Sequence, residues 1–380
     1  MEIKSIGNLT CKCFFIFMNI SFVMQLSQLY ETRGGFVCSI ALAGLGILSF
    51  FFHYIRYTKL KVSSIFFTMV LFAVGAVAFI MSSGPTLLKM ILFIYAVQGV
   101  DKEDILNYCK QSLLIAFAIV AISSLLGITD AVYVSNLKIA YRFGLSNPNT
   151  VPIVFFAIIT AYNLQHDESI TYKKIALEAI MTGIVYYFTR SRTGLLVLVF
   201  YLAALFFAKI LDKSLLFKIV LWPFQYSFLV FAAISYYATV SFVRTNSFWV
   251  QINSLLTGRL YAWQRYLERY GINPFGNRLD GSLYGAFDNA YLQLLVKYGW
   301  LTFIVYAIMF IVVSRYAYKR RNWVLMMTII AYQVYFITEF GPILINFCTV
   351  LLIFAYVLFD EHKMKPESDR VVRWEGGNDE

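Results

Sequence analysis

Arginine, carboxylate and aromatic side chains gather in one polar stretch, residues 240–298, of a chain that is otherwise strongly apolar. A polar excursion of this length in a hydrophobic chain is typical of a functional loop. Its charged residues include five arginines and three carboxylates, namely Arg244, Arg259, Arg265, Arg269, Arg278, Glu268, Asp280 and Asp288. Guanidinium groups keep their charge and bind phosphate oxygens in pairs, so the composition predicts a site for an anionic ligand, with phosphate as the expected anion.

A second basic segment, residues 189–194 (TRSRTG), joins two apolar runs. Charged side chains so close to membrane-like runs are costly unless they are paired or used. A tight turn that starts a helix also presents backbone N–H groups to a ligand. We therefore expect Arg190 and Arg192 to bind an anion. The alternative is that these arginines extend toward lipid headgroups.

A third polar turn, Asn147-Pro148-Asn149, precedes the apolar run that begins at residue 150. Such a turn favours side chains that cap the following helix. Arg142 is then expected near a helix N-terminus, where backbone N–H groups favour an anion. The alternative is a helix cap without a ligand.

Glu339 stands at the end of an apolar run, just before the helix-breaking pair Gly341-Pro342. A carboxylate in that position is either a functional group or the partner of an outer arginine. Histidine is absent from all of these polar segments, and no metal-binding motif is present in the sequence. The sequence therefore predicts neither a metal nor another cofactor.

The composition assigns these segments to a membrane protein. The chain is 60% hydrophobic and only 14% charged, whereas soluble domains carry about 25% charged residues. The apolar runs do not alternate and are long enough to span a bilayer, which favours helices over a closed barrel. The net charge of +11 is spread over loops, so a nucleic-acid partner is not expected. The five cysteines lie in or beside apolar runs and are expected to pack as small apolar side chains.

The expected fold is all-α, with about twelve transmembrane helices in a single domain, residues 1–360, and a disordered cytoplasmic tail, residues 361–380. Residues 240–290 are expected to form one long extracytoplasmic loop between the ninth and tenth spans. A short interfacial helix is predicted between Leu260 and Tyr270. The expected spans are residues 12–29, 36–54, 63–81, 85–98, 111–128, 150–164, 173–189, 194–211, 215–239, 290–314, 323–340 and 342–360.

The basic residues of the short loops predict the orientation in the membrane. With both termini in the cytoplasm, the inner loops are dominated by lysine and the outer segments by arginine. Lysine and arginine concentrate on the inner side of membrane proteins. The outer arginines oppose that rule, which supports a function for them.

The SRTG turn, the NPN turn and the pattern TGR…W…NPFG…DNAYLQLLVKYG resemble the bacterial O-antigen polymerase family (Wzy-type) of the O-antigen ligase and polymerase superfamily. The resemblance covers the whole chain in topology, with specific motifs over residues 190–194 and 257–299. The chain most resembles polymerases of capsular or exopolysaccharide clusters. This resemblance implies a GT-C-like fold. The implied enzyme is a metal-independent glycosyltransferase of the bacterial cytoplasmic (inner) membrane. It joins undecaprenyl-pyrophosphate-linked oligosaccharide repeat units on the outer face and releases undecaprenyl pyrophosphate.

The resemblance implies a role for each candidate residue. The residues expected to bind the leaving pyrophosphate are Arg142, Arg190, Arg192, Arg259 and Arg278. The carboxylates expected to act on the acceptor hydroxyl are Asp288 and Glu339, with Asp280 and Glu268 as weaker candidates. The residues expected to position sugars are Trp263, Asn289 and Tyr291, although a membrane-interface belt is the alternative for the aromatic pair. The expected partners are the lipid-linked oligosaccharide, the bilayer, a chain-length regulator and a flippase.

Two other functions remain open at this point. An O-antigen ligase-type glycan transferase is the nearest alternative, but that branch is associated with a histidine in its large outer loop, which residues 240–290 lack. A lipid-linked oligosaccharide flippase or transporter should carry charges inside several spans. Lys89 is the main case in the first half of this chain.

Overall fold

The protein is mostly helical in its computed structural model, which describes residues 2–57, 62–82, 84–135, 138–167, 170–211, 219–280 and 287–359. The tail expected at 361–380 and part of the long loop, 281–286, lie outside the described residues. The named α-helices are α1 Glu2–Gln25, α2 Arg33–Tyr57, α3 Val62–Ser82, α4 Thr86–Ala96, α5 Lys102–Leu125, α6 Thr150–Gln165, α7 Tyr172–Thr189, α8 Arg192–Leu211, α9 Ser227–Val240, α10 Ser247–Leu255, α11 Arg259–Tyr270, α12 Ala290–Val296, α13 Trp300–Lys319, α14 Trp323–Phe336 and α15 Thr349–Phe359.

Six helical segments in the described part of the chain are long and apolar enough to cross a membrane, by length and composition. They are Gly7–Gln25, Arg33–Ile55, Lys102–Leu125, Arg192–Ile210, Ile219–Val240 and Trp300–Lys319. Helix α2 shows why a bilayer is needed, because large apolar side chains such as Val37, Phe52 and Ile55 are exposed along it. A surface of this kind is stable against lipid tails and not against water.

Buried polar contacts hold the apolar helices in register. Asn19 of α1 donates to the hydroxyl of Ser112 on α5 at 2.7 Å. Asn346, which precedes α15, donates to the side-chain oxygen of Asn19, also at 2.7 Å. Hydrogen bonds of this kind specify helix packing where every neighbouring surface is equally apolar. They connect the first helix of the chain to the last described one.

The bundle has two ends, and helix α6 runs from one to the other. It begins beside Glu339, to whose carboxylate Asn149 donates at 3.3 Å. It ends just before Asp167, which pairs with Lys102 at 2.9 Å and accepts from Asn322 at 2.7 Å. We refer to these as the Glu339 end and the Asp167 end.

Both termini of the described chain lie at the Asp167 end. Near the N-terminus, Asn8 donates to Asp104 at 2.9 Å. Asp104 lies two residues after Lys102, the partner of Asp167. At the other terminus, the ring of Phe359 packs on Tyr95 with centroids 5.5 Å apart. The loops that carry the predicted arginines therefore lie at the opposite end.

Several predicted elements differ from the structure. The prediction of an all-α fold missed an antiparallel hairpin, β1 Val132–Ser135 and β2 Lys138–Tyr141, because hydropathy does not report strand pairing in a short connection. The predicted loop contains helix α11, which confirms the helix expected at 260–270, and also α10, which was not expected. The run expected as a single span at 290–314 is broken into α12 and α13 at Gly299, whose φ is +89°.

That break is held by the segment Asn273–Asn277, which docks across it. The amide of Asn277 donates to the carbonyl of Lys297 at 3.0 Å, and the amide of Trp300 donates to the carbonyl of Asn273 at 3.1 Å. Gly276 makes the close approach possible, because its φ is +86° and a Cβ there would stand 2.0 Å from the Lys297 carbonyl oxygen. The NPFG motif therefore docks the long loop onto the α12–α13 junction.

We predict that Gly276→Ala destabilises the protein more than Gly271→Ala. Both glycines have positive φ, but a Cβ at Gly271 meets open space, so its replacement costs only the strain of its backbone conformation, φ +63° and ψ −171°, which is about 1–3 kcal/mol. At position 276 the collision with backbone adds to that strain. The measurement is the thermal unfolding midpoint in detergent, and equal losses for the two variants would contradict the docking.

Candidate functional site

Helix α11 fixes the position of Arg259, its first residue. The helix follows a left-handed turn in which Thr257 has φ +55° and Gly258 has φ +82°. Its apolar face buries Leu260, Trp263 and Tyr266 in a small core that also includes Leu292 and Val296 of α12. The helix is therefore anchored along one side, and its N-terminal arginine is held toward the Glu339 end of the bundle.

Arg259 bridges two carboxylates. Its Nε lies 3.2 Å from Oδ2 of Asp288, and its Nη2 lies 3.2 Å from Oε1 of Glu339. Its Nη1 donates to the backbone carbonyl of Thr338. The three side chains are mostly buried, with exposed fractions of 15% for Arg259, 25% for Asp288 and 11% for Glu339. A planar guanidinium is suited to hold two acceptors in fixed directions.

The segment that carries Glu339 is held by side chains from elsewhere in the chain. Helix α14 ends at Phe336, which leaves carbonyls without helical partners. The amide of Asn289 donates to the carbonyl of Ile337 at 2.9 Å, while its side-chain oxygen caps α12 by accepting from the amide of Leu292 at 3.0 Å. Arg259 donates to the next carbonyl, that of Thr338. The turn before the 3-10 segment Gly341–Ile343 is therefore held from two sides.

Asn149 approaches Glu339 from the start of α6. The sequence predicted a capping role for this turn, and Asn147 supplies it, because its side-chain oxygen accepts from the backbone amide of Asn149 at 2.9 Å. Asn149 itself has φ −67° and ψ −20°, and its own side chain makes no capping hydrogen bond. Capping requires an extended conformation at the N-cap residue. The Asn149 amide instead donates to Oε1 of Glu339, the oxygen that also faces Arg259. Asn147 therefore caps the helix start as predicted, whereas sequence reasoning missed Asn149 as part of the site.

Burial changes the acidity of both carboxyls. Desolvation raises the pKa of Glu339 to about 7, although the Arg259 charge opposes the rise and Asp288 adds to it. Desolvation also raises the pKa of Asp288, again against the effect of Arg259. A carboxyl that titrates near neutral pH can take up or release a proton during a reaction. Glu339 therefore has the properties of a general acid or base.

The SRTG turn lies beside the start of α6. A Cβ on Gly194 would stand 2.4 Å from Cβ of Pro152, which follows Asn149 closely in the chain. Arg190 has φ +53° and places its guanidinium 5.0 Å from the Tyr187 ring centroid. Arg190 and Arg192 are both exposed. The turn thus presents two arginines at the Glu339 end, without direct contact to Glu339.

Arg142 and Arg278 stand apart from the Arg259 cluster. Arg142 follows strand β2 and pairs with Asp130, with Nη2 and Oδ2 2.7 Å apart. Its strand packs toward α7, because the Tyr141 and Phe188 ring centroids are 5.5 Å apart. Arg278 is exposed in the loop after α11. The structure thus brings Arg142 near the SRTG turn but partly neutralises it.

The three residues expected to position sugars are buried. Trp263 is 1% exposed, and Asn289 and Tyr291 are 0% exposed. Tyr291 donates its hydroxyl to the carbonyl of Gln333 at 2.9 Å, so it packs inside the bundle. Sugar contact by these residues stays a prediction that this conformation does not support.

The described residues contain no group of three or more His, Cys, Asp and Glu side chains that could hold a metal ion. Comparison of the chain with protein-family models, with curated proteins and with solved structures finds no match in any of the three. The function must therefore be argued from the site itself.

We predict that Arg259→Gln destabilises the protein by about 3–5 kcal/mol, because it leaves two buried carboxyls without their counter-charge. The matched control is Arg265→Gln on the same helix. Arg265 pairs with Glu268 at 3.4 Å with both side chains about half exposed, and such a pair contributes at most about 1 kcal/mol. Unfolding in detergent at pH 8 measures both. Equal small losses would contradict the buried cluster.

The raised pKa of Glu339 predicts a pH dependence of stability. The folded state binds a proton on Glu339 more tightly than the unfolded state, so this stabilisation is complete below pH 4.5 and is lost as the pH rises through about 7. The change is on the order of 3 kcal/mol. Glu339→Gln should flatten the stability profile between these pH values, and an unchanged slope in that variant would show that another group is responsible.

Proposed function

We propose that the protein is a polysaccharide polymerase that joins undecaprenyl-pyrophosphate-linked oligosaccharide repeat units at a membrane surface. The observation that carries this proposal is the Glu339 carboxyl, whose pKa burial raises to about 7 and which Arg259 holds at the same end of the apolar bundle as the exposed Arg190 and Arg192. A lipid-linked glycan presents both an anionic headgroup and a hydroxyl at that depth. The resemblance to bacterial O-antigen polymerases supports the same substrate.

In the proposed reaction, a hydroxyl oxygen of the incoming unit attacks the anomeric carbon of the growing chain. The bond from that carbon to the pyrophosphate oxygen breaks, and undecaprenyl pyrophosphate leaves with the electron pair. Glu339, in its ionised form, accepts the hydroxyl proton, with Asp288 as the second candidate. Arg190 and Arg192 are exposed and available to stabilise the leaving pyrophosphate.

Arg259 takes a different role from the one that its sequence context predicted. Its guanidinium is already engaged by Asp288, Glu339 and the Thr338 carbonyl. We therefore assign it to positioning the two carboxyls and setting their acidity, and not to binding the pyrophosphate. Arg142 and Arg278 remain peripheral candidates for the headgroup.

The proposed setting is the bacterial cytoplasmic membrane, with about twelve crossings and the Glu339 end outside. Besides the six longer segments, the described chain has five shorter apolar helices. Lysines gather at the Asp167 end, among them Lys102, Lys110 and Lys209, which supports a cytoplasmic location for that end. In that orientation both termini are cytoplasmic. A flippase that supplies the substrate and a chain-length regulator are the proposed partners.

A ligase-type glycan transferase is the second candidate, because the same pyrophosphate leaves in that reaction. The two activities differ in the acceptor, which is a lipid-linked repeat unit for a polymerase. A flippase finds less support, since the salt bridges among the described residues lie at the two ends of the bundle and none of them lies between the ends.

We predict that cells lacking this gene keep single repeat units on their surface polysaccharide and lose long chains. Wild type should restore the chains, while Glu339→Gln and Arg192→Ala, at normal protein level, should reduce polymer by about 10²-fold or more. Glu268→Gln, an exposed carboxyl on α11, should restore wild-type lengths. The measurement is the length distribution on a gel.

Two other results would contradict the proposal. Long lipid-linked chains that persist unattached would indicate a ligase. Complete absence of repeat units from the outer face would indicate a flippase.

A further inference from the structure

Two lysines converge on one tyrosine ring near the Asp167 end. The Nζ of Lys174 lies 4.0 Å from the Tyr162 ring centroid, and the Nζ of Lys110 lies 5.3 Å from it. Lys110 donates to the side-chain oxygen of Gln165 at 2.7 Å. The Nζ of Lys174 is buried and has no hydrogen-bond partner in the described part of the chain. Two ammonium groups so placed repel each other, and an anion would relieve that repulsion.

The surrounding titratable groups leave an excess of positive charge. Glu178 is the carboxylate beside Lys174, but it is buried and its Oε2 accepts from the Asn163 amide at 3.1 Å. No salt bridge joins either lysine to a carboxylate among the described residues. Lys173 and His166 line the same cavity. Three lysines therefore face one carboxylate and one histidine.

The cavity under these lysines continues into an apolar groove. The first cavity, of about 650 Å³, shares Phe155, Ile158 and Met181 with a second of about 350 Å³. Apolar side chains of α5, α6, α7 and the turn after β2 line the second cavity. Between Val151 and Tyr162, α6 rises by about 16 Å. This is close to half of the bilayer core of about 30 Å, and therefore to one leaflet.

We propose that this groove binds an anionic phospholipid. Its phosphate lies on Lys110 and Lys174, and one acyl chain lies against α6 toward Val151. The two ammonium groups, neither of which makes a salt bridge among the described residues, select the negative headgroup, and the apolar continuation selects a lipid over a soluble anion. Basic pockets between membrane helices are suited to such headgroups. The proposal rests on the cavity and its charges, and not on the polymerase activity.

The test uses the full chain, purified and delipidated in neutral detergent. We expect phosphatidylglycerol to raise the thermal midpoint, and phosphatidylcholine with the same acyl chains and inorganic phosphate to leave it near the baseline. Lys110→Gln with Lys174→Gln should weaken phosphatidylglycerol binding by about 30-fold, which corresponds to about fivefold for each lysine. Lys319→Gln, an exposed lysine at the same end, should bind like wild type.

Two further variants keep the test decisive if the double variant does not fold. Lys110→Gln alone should weaken binding several-fold, and Ile158→Trp, which fills the shared part of the groove, should also do so. Equal stabilisation by phosphatidylcholine or by inorganic phosphate would overturn the proposal. Recovery of a polyprenyl phosphate in place of a phospholipid by native mass spectrometry would also overturn it.

Discussion

The burial of Arg259 between Asp288 and Glu339 is the interaction on which the rest of the site depends. A buried guanidinium is stable only when its charge and its N–H donors are matched. Here two carboxyls and the Thr338 carbonyl supply that match. The match requires the long loop, the start of α12 and the turn after α14 to meet at one point, so the docking of the loop also determines the chemistry of the site.

The same arrangement explains how an acidic side chain can titrate near neutral pH at the end of an apolar bundle. Burial disfavours the charged form of Glu339, while Arg259 favours it. Burial alone would favour the protonated form at physiological pH, and the Arg259 charge alone would leave an ionised carboxylate that is a weak base. The exposed arginines of the SRTG turn lie beside the start of α6, and Asn149 at that start contacts Glu339. The proposed leaving-group site and the proposed proton acceptor therefore both pack against the start of α6.

Local patterns in the sequence predicted much of the fold. The site depends on contacts between residues that are distant in sequence, and local patterns do not predict those contacts. Hydropathy predicted a helical membrane protein, and Gly341-Pro342 predicted the break after α14. The β-hairpin and the division at Gly299 depend on pairing and docking that hydropathy does not encode. Asp288, Glu339 and Arg259 were each singled out, but the contact of Asn149 with Glu339 joins positions 190 residues apart. Trp263 and Tyr291 were predicted to contact sugars because of their residue types, but both side chains are buried in the structure.

The most direct test is polymerisation by the purified protein in proteoliposomes, supplied with a synthetic undecaprenyl-pyrophosphate-linked repeat unit. Product length and released undecaprenyl pyrophosphate are measured against pH. We predict that the rate rises with pH with an apparent pKa of about 7. In Glu339→Gln we predict a much slower reaction whose rate lacks this rise. A Glu339→Gln variant with the wild-type rate and pH profile would contradict the assignment of Glu339. Absence of any polymer with the wild-type protein would contradict the proposed function.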